Sequence, residues 1–198
     1  MNSIVSPTPH MDEEGLNFFR SAIANARCYL EYGAGGSTVY ACNEAKVPII
    51  ISVDTDPLWV NNVSQSLTRN SASGVVVQLC DLGEVEAWGV PKSKDKIGDF
   101  WRYMSIPWDL ARSNRVVPDL IFIDGRFRVA SFLYSLLNAR VGTTILFDDY
   151  MNRPEYFVVE KFCKLVASHG RLGQFSTSPS FDVVDLCAQI EKYSIDWD

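Results

Sequence analysis

The stretch LEYGAGGSTVY, residues 30–40, joins a short apolar run to a helix-like segment through a glycine turn. Glycine permits a tight turn at such a junction and lets the backbone approach a ligand closely. In a parallel sheet, ligands bind beyond the carboxyl ends of the strands, which is where Gly33, Gly35 and Gly36 would lie. The stretch is therefore typical of a nucleotide-binding α/β domain, although ordinary strand-to-helix turns also use such glycines.

Strand-like and helix-like patterns alternate on both sides of this turn. An N-terminal helix is predicted over about residues 12–26, because acidic residues precede apolar residues at helical spacing. Short apolar runs predict strands at residues 28–32 and in PIIISV, GVVVQL, DLIFI and TTILF. This alternation indicates an α/β fold with a mainly parallel sheet and helices on both faces.

Further helices are predicted between the strands and near the C-terminus. They cover residues 38–46, the segment after Asp56-Pro57, Val129–Leu137 and residues 155–169, with Gly170 as a helix end. The tail allows two interpretations, since LGQF is strand-like whereas VVDLCAQI has helical spacing. The number of strands, six or seven, depends on that choice.

Length and composition narrow the class of protein. The chain has 198 residues, of which 47% are hydrophobic, and residues 1–198 fit a single domain. Its net charge of −6 disfavours general nucleic-acid binding. The five cysteines lack metal-binding spacing, and there is neither a secretion signal nor an apolar run of about 20 residues. We expect a cytoplasmic protein that binds neither nucleic acid nor membranes, and the sequence carries no signal for its oligomeric state.

Glu31, just before the glycines, separates two kinds of cofactor. A dinucleotide would hold its pyrophosphate against this turn, and a nearby carboxylate would repel it. S-adenosylmethionine has no phosphate and carries a positive ammonium and a positive sulfonium, which a carboxylate attracts. The dinucleotide pattern G-x-G-x-x-G also fails at its third glycine, where Thr38 stands. The alternative is that Glu31 is a solvated residue at the end of a strand.

Two further acids follow the next two predicted strands. Asp54 ends the second strand, where a carboxylate can accept hydrogen bonds from ribose hydroxyls in either cofactor class. Asp81 follows the third strand and could accept a hydrogen bond from an adenine amino group or simply belong to a turn.

The motifs LEYGAGGST, SVDTDP, QLCD, DLIFIDGRFRVA and ILFDDY follow one another as in the class I S-adenosylmethionine-dependent methyltransferases. Residues 28–170 resemble that family, and in particular its small methyltransferase-like members with a "FIDG" fourth strand. The resemblance implies a Rossmann-like, doubly wound sheet and transfer of a methyl group from S-adenosylmethionine. The implied cofactor contacts are Glu31, Gly33, Ala34, Gly35, Ser37, Asp54 and Asp81. The chain departs from the family in its tail, where the usual final antiparallel hairpin is not evident.

Three aspartates bear on the chemistry, because Asp124 ends the fourth strand while Asp148 and Asp149 end the fifth. Similar acids hold Mg²⁺ in catechol-type O-methyltransferases, as the resemblance implies, and carboxylates suit such a cation. The favoured interpretation is a metal-independent site in which Asp124 positions or deprotonates the acceptor. Arg126 and Arg128 would then neutralise the other acids, or else bind an acidic substrate.

Residues 84–118 form a long connection that contains Trp88, Trp101 and Trp108. Such an insertion could be a substrate lid to which Trp88 contributes, or an extra packing layer over the sheet. The expected function is methyl transfer to a small-molecule acceptor. The alternatives are an NAD(P)-dependent oxidoreductase and a non-catalytic cofactor-binding module.

Overall fold

The computed structural model describes residues 4–178 and 180–197. The predicted domain of residues 1–198 extends beyond them, since residues 1–3, 179 and 198 lie outside the described residues. The strands are β1 Cys28–Tyr32, β2 Ile49–Asp54, β3 Val75–Leu79, β4 Leu120–Ile123, β5 Thr144–Phe147, β6 Leu165–His169 and β7 Leu172–Ser176. They form one sheet in the order β3-β2-β1-β4-β5-β7-β6.

Strands β1 to β5 pair in parallel, whereas β7 runs antiparallel to both β5 and β6. The chain moves outward from β1 to β3 and then returns to place β4 on the other side of β1. The strand order therefore reverses between β1 and β4, and sheets of this kind bind ligands at such a switch point. The predicted mainly parallel, Rossmann-like sheet is confirmed, with seven strands.

The α-helices are α1 Glu13–Ile23, α2 Gly36–Asn43, α3 Pro57–Ser66, α4 Trp101–Ser113, α5 Arg128–Asn138 and α6 Val183–Tyr193. The N-terminal helix begins as predicted, because the Asp12 carboxylate accepts a hydrogen bond from the Gly15 amide at 2.7 Å. Asp56 caps α3 in the same way, and Pro57 occupies its first turn. None of the helices in the described residues is long and apolar enough to span a bilayer.

The two faces of the sheet bury separate apolar cores. On β1, Tyr29 packs with α1 and α2 residues such as Phe19, while the next residue, Leu30, packs on the opposite face with α4 and α5 residues such as Phe132. Successive strand residues point to opposite faces, so a sheet covered on both sides reads as a continuous apolar run. The prediction of helices on both faces is confirmed.

The predicted helix over residues 155–169 is wrong. A 3-10 segment covers Pro154–Lys161, and β6 then pairs with β7 through a two-residue loop between His169 and Leu172. Gly170 has φ +60°, which suits the first position of a tight hairpin turn rather than a helix end. LGQF is therefore a strand, VVDLCAQI is helical as its spacing indicated, and the antiparallel hairpin of the family is present.

The long connection over residues 84–118 divides into two parts. Its second part is α4, whose Tyr103 and Trp108 are buried in the core, as an added packing layer predicts. Its first part contains the 3-10 segment Ala87–Gly89, where Trp88 is 85% exposed with φ +65°. The lid therefore stays a prediction, and only the part around Trp88 remains a candidate for it.

Candidate functional site

A cleft of about 650 Å³ opens at the carboxyl edge of the sheet, over the ends of β2, β1, β4 and β5. This carboxyl-edge cleft is lined by the predicted residues Gly33, Ala34, Gly35, Ser37, Asp54, Trp88, Asp124, Arg126, Arg128, Asp148 and Asp149. The cleft lies at the switch point of the strand order, and its volume is that of a small-molecule site. Most residues singled out from the sequence are thus brought together, with Glu31 and Asp81 as the two exceptions.

The glycine turn after β1 is packed tightly on the turn after β4. Gly33 has φ +95°, and a Cβ atom on it would lie 2.6 Å from the Cα of Gly125. Only glycine satisfies both the backbone conformation and this close approach. Gly35 differs, because its added Cβ would meet no atom nearer than 4.0 Å, from Trp59. The turn therefore presents an open backbone surface at Gly35.

Glu31 is fully buried beneath this turn. Its carboxylate accepts hydrogen bonds from the hydroxyls of Tyr29 and Ser52, at 2.8 and 2.7 Å, and from those of Ser37 and Thr38. Burial raises the pKa of Glu31, and the hydroxyl donors act against that rise. The alternative of a solvated residue is wrong, and Glu31 supports the cofactor turn from inside the protein instead of lining the cleft.

The same contacts explain why threonine stands at the third glycine position. The Thr38 hydroxyl accepts a hydrogen bond from the Gly35 amide at 2.9 Å and donates to Glu31. Ser37, the next donor, is 4% exposed and also borders the cleft. A glycine at residue 38 would remove one of the two donors to Oε2 of the buried carboxylate and leave only Ser52 on that oxygen, which is unfavourable.

Asp54 lies at the end of β2 and lines the cleft. Its carboxylate accepts hydrogen bonds from the backbone amides of Ala34 at 3.0 Å, Thr55 at 2.7 Å and Asp56 at 3.1 Å. Burial raises the pKa of Asp54 to about 6, against these three donors. A carboxylate has about four lone-pair sites, so one on the side of Ala34 is left for a ligand hydroxyl.

Asp81 lies apart from the cleft-lining residues. Its side chain is 66% exposed and forms an ion pair with Lys96 at 2.6 Å, and it accepts a hydrogen bond from the Gly83 amide. The pKa of Asp81 is lowered, first by the hydrogen bond from Lys96. The structure thus favours the turn interpretation of Asp81.

Arg128 joins the acids that follow β4 and β5. Its guanidinium lies 3.1 Å from the Asp124 carboxylate and 3.2 Å from that of Asp149, and it donates to the Asp148 carbonyl at 2.9 Å. Arg128 is 5% exposed. The expectation that an arginine compensates these carboxylates is therefore met by Arg128.

Arg171 supplies the second compensating charge, which the sequence analysis missed. It lies in the β6–β7 loop and contacts Asp148 at 2.8 Å and Asp149 at 3.2 Å. The sequence signal for it was Gly170-Arg171 ahead of the strand-like LGQF, and this pair fits a hairpin turn as well as a helix end. Arg126, predicted for this role, makes no ion pair within the described part of the chain and instead donates to the Trp197 carbonyl at 3.3 Å.

Asp124 combines access to the cleft with a perturbed acidity. Its side chain is 28% exposed, while Asp148 is 1% exposed. Burial raises the pKa of Asp124 well above its usual value, Arg128 opposes the rise, and nearby Asp148 adds to it. A raised pKa makes the ionised carboxylate a better proton acceptor, as a general base requires.

The three acids that follow β4 and β5 are paired with arginines. Over residues 4–178 and 180–197, no group of three or more His, Cys, Asp or Glu side chains is arranged to hold a metal ion. Asp124, Asp148 and Asp149 are each engaged by Arg128 or Arg171. A cation at this position would have to displace both guanidinium groups, so the residues present do not fit one.

Comparison with known proteins agrees with this architecture. The chain is 30% identical to a methyltransferase-like protein from Silicibacter pomeroyi, with a TM-score of 0.83 over 96% of this chain and 98% of that one. It also shares the fold of a candidate O-methyltransferase from Klebsiella pneumoniae, at 15% identity, a TM-score of 0.52 and coverage of 88% and 84%. No protein-family model and no curated protein sequence matches the chain.

The likeness to the first of these proteins spans nearly the whole of both chains. The sheet, the glycine turn and the acids that follow β2, β4 and β5 are those expected from the sequence motifs. The chain therefore belongs to the class I S-adenosylmethionine-dependent methyltransferase family and is a methyltransferase.

Proposed function

We propose that the protein binds S-adenosylmethionine over β2 and β1 and transfers its methyl group to a small-molecule acceptor over β4 and β5. The observation that carries this proposal is the open glycine turn at the switch point, with Gly33 packed on Gly125 and Asp54 beside it. Ligands of doubly wound sheets bind at such a position. The cleft volume of about 650 Å³ leaves room for a small acceptor beside the cofactor.

The charges around the turn fit a cofactor without phosphate. The carboxylates that line this side of the cleft are those of Asp54 and Asp56, with Glu31 buried below. The arginines of the cleft follow β4, β5 and β6 instead. A diphosphate over β1 would face these carboxylates with no arginine or lysine of the described lining beside it, whereas an ammonium or sulfonium group would be attracted. This distribution disfavours the alternative of an NAD(P)-dependent oxidoreductase.

Asp124 is the residue that would handle the proton of the acceptor. When bound, S-adenosylmethionine supplies a methyl group activated by its attachment to a sulfonium. The Asp124 carboxylate, held by Arg128 at 3.1 Å, accepts the proton that the acceptor nucleophile releases. Its raised pKa makes it a stronger base than an ordinary aspartate.

The proposed site works without a metal ion, because Arg128 and Arg171 already compensate the acids. The proposed partner is a small molecule, since the cleft is concave and the net charge of −6 does not favour nucleic acid. We place the activity in the cytoplasm, where the five cysteines, all free, would stay reduced.

Calorimetric titration with S-adenosylhomocysteine and, separately, with NADH tests the proposed cofactor. S-adenosylhomocysteine should bind with one site per chain, and NADH should give no heat at the same concentration. The reverse result, NADH binding without S-adenosylhomocysteine binding, would contradict the proposal. Added Mg²⁺ should leave the thermal midpoint unchanged, because the guanidinium groups occupy the place of a cation.

A further inference from the structure

We infer that the acceptor carries an oxyanion, a carboxylate or a phosphate, and that Arg126 and Arg153 bind it in the part of the cleft over β4 and β5. This inference rests on the proposed function, because it assigns the acceptor half of the same cleft. Two observations carry it: the balance of charge on this side, and the lack of strong partners for these two arginines.

The acceptor side of the cleft has more cationic than anionic groups. Its described lining residues include three carboxylates, of Asp124, Asp148 and Asp149, and four guanidinium groups, of Arg126, Arg128, Arg153 and Arg171. Arg128 and Arg171 form all the ion pairs of 3.2 Å or less with these acids. An anionic ligand would balance this charge.

Arg126 lines the cleft and has one donor without a partner among the described residues. Its Nε atom is buried and has no hydrogen-bond partner in the described residues, and its Nη1 atom only reaches the Trp197 carbonyl at 3.3 Å. A buried N–H of a guanidinium without a partner is unfavourable. An oxyanion would satisfy this donor, and the planar fork of arginine matches two oxygens of one carboxylate or phosphate.

Arg153 is held in place without being neutralised. Its guanidinium donates to the Tyr156 hydroxyl at 3.2 Å and lies 5.7 Å from the centre of the Tyr156 ring. Its nearest acid, Asp149, is 3.7 Å away and is already contacted more closely by Arg128 and Arg171. A side chain of this kind is oriented by stacking and still has donors for a ligand.

Tyr156 shows that the cations share one region. Burial raises the pKa of its hydroxyl, and Arg128, Arg153 and Arg126 each act against that rise. All three guanidinium groups therefore lie within Coulombic range of one buried atom. Asp124 and Arg126 follow β4, and Arg153 follows the neighbouring strand β5. Neighbouring strands are about 4.8 Å apart, so these three residues lie close together at the edge of the sheet. An acceptor held by its anionic group near Arg126 and Arg153 could thus place its nucleophile close to Asp124.

Three aromatic probes of similar size test this inference: benzoate, phenyl phosphate and neutral benzamide. Their dissociation constants would be measured by ligand-observed NMR, with and without S-adenosylhomocysteine. Benzoate or phenyl phosphate should bind at least about tenfold more tightly than benzamide. Arg126→Gln should lower the affinity for the anionic probes by at least about tenfold, and Arg153→Gln should lower it to a smaller extent.

The control variant is Arg140→Gln, because Arg140 is an exposed arginine outside the cleft lining. It should leave the affinity for the probes unchanged. Arg126→Lys keeps the charge but loses the Nε donor and should give an intermediate affinity. It serves as the test if Arg126→Gln does not fold. Equal affinity for benzoate, phenyl phosphate and benzamide, or no effect of either Arg126 substitution, would overturn the inference.

The outcomes also separate this inference from the proposed function. Binding of S-adenosylhomocysteine without preference for the anionic probes would leave the proposed function standing and reject the anionic acceptor. Anion binding that depends on Arg126, without binding of S-adenosylhomocysteine, would support the subsite and reject the proposed cofactor.

Discussion

Arg171 donates to both carboxylate oxygens of Asp148, with Nε 3.0 Å from Oδ1 and Nη2 2.8 Å from Oδ2. The Asp148 side chain is 1% exposed, so the arginine and not water compensates its charge. Two parallel charge-assisted hydrogen bonds of this kind fix the geometry of both partners. The contact ties the loop between β6 and β7 to the end of β5 and thereby connects the hairpin to the floor of the cleft.

Removal of Arg171 should destabilise the fold strongly. We expect Arg171→Gln to lower the free energy of unfolding by about 3–5 kcal/mol, because it leaves a buried carboxylate without its partner. The double variant Arg171→Gln/Asp148→Asn should lose less free energy of unfolding than Arg171→Gln alone, because it leaves no buried charge without a partner. Urea denaturation measures both values.

The exposed pair of Arg112 and Asp109, at 2.6 Å, is the control for this prediction. Arg112→Gln should lower the free energy of unfolding by at most about 1 kcal/mol, because solvent screens a surface pair. An Arg171→Gln variant no less stable than Arg112→Gln would show that the buried pair is not required.

Gly33 and Gly35 should respond differently to the same substitution. Gly33→Ala would place a methyl group 2.6 Å from the Gly125 Cα in a left-handed backbone conformation, which should lower stability by at least about 1–3 kcal/mol. Gly35→Ala has open space and should change stability by no more than about 0.5 kcal/mol. Gly35→Ala should instead weaken the binding of S-adenosylhomocysteine, because the methyl group of the alanine occupies the surface offered to the cofactor. Thermal denaturation and calorimetry give the two readouts, and equal stability of the two variants would refute the packing argument.

Asp54 should make cofactor binding depend on pH. Its folded-state pKa of about 6 lies above the ordinary value, so its carboxylate is charged above pH 6 and becomes protonated as the pH falls through 6. The hydrogen bond from a ribose hydroxyl then loses its charged acceptor, and affinity for S-adenosylhomocysteine should fall at acidic pH. Asp54→Asn should bind about tenfold more weakly at pH 8 and should show no step near pH 6. If the affinity of this variant for S-adenosylhomocysteine falls by the same factor near pH 6, a group other than Asp54 is responsible for the pH dependence.

The acidity of Asp124 should depend on Arg128. Burial raises the pKa of Asp124 and Arg128 lowers it, so Arg128→Gln should raise that pKa further. Carbon-13 NMR of labelled aspartate carboxyls can follow the titration, with Asp124→Asn identifying the resonance. If Asp124 is the general base, methyl transfer increases as the pH rises through its pKa, and Arg128→Gln moves this increase to higher pH. An unchanged Asp124 titration in folded Arg128→Gln would show that the ion pair does not control its acidity.

Loss of the base itself should separate catalysis from binding. Asp124→Asn should keep the affinity for S-adenosylhomocysteine and lower the transfer rate by about 10²–10⁴-fold, the usual contribution of a general base. The rate is measured as S-adenosylhomocysteine formed with an acceptor that the wild-type protein methylates. A variant with the wild-type rate would leave Asp124 without a role in proton transfer.

The first five strands and the glycine turn were predictable because their signals are local. Runs such as LIFI in β4 are apolar, short and rich in β-branched or aromatic residues, and all four residues are buried. Asp56 and Pro57 mark the start of α3 by cap chemistry that depends only on neighbouring residues. The position of the cleft followed from the strand order that the family motifs imply.

The final hairpin was not predictable from periodicity, because β6 is an edge strand. Its residues alternate between half-buried and exposed, and Val166, counted as part of an apolar helix face, is 60% exposed. Gly170 then fits a helix end and a hairpin turn equally well until the pairing of His169 with Leu172 is known. Arg171 was missed for the same reason, since its contact with Asp148 depends on long-range pairing.

The burial of Glu31 could not be predicted from its charge, because it also depends on long-range contacts. The four hydroxyl donors come from β1, α2 and β2, and only the folded sheet brings them to one carboxylate. From sequence, the residue could be judged only as attractive or repulsive toward a ligand. Its role as an internal support depends on Thr38 and Ser52, whose places in the motifs LEYGAGGST and SVDTDP do not indicate that their hydroxyls meet at Glu31.

That support has a thermodynamic consequence for the cofactor site. The hydrogen bonds to Glu31 fix the first turn of α2, and with it the glycine loop, already in the free protein. The loss of conformational entropy is then incurred when the chain folds and not when the ligand arrives. Association with a preorganised loop retains more of the interaction free energy as affinity. The hydroxyls of Tyr29, Thr38 and Ser52, which do not line the cleft, thus help to set how tightly a ligand is held.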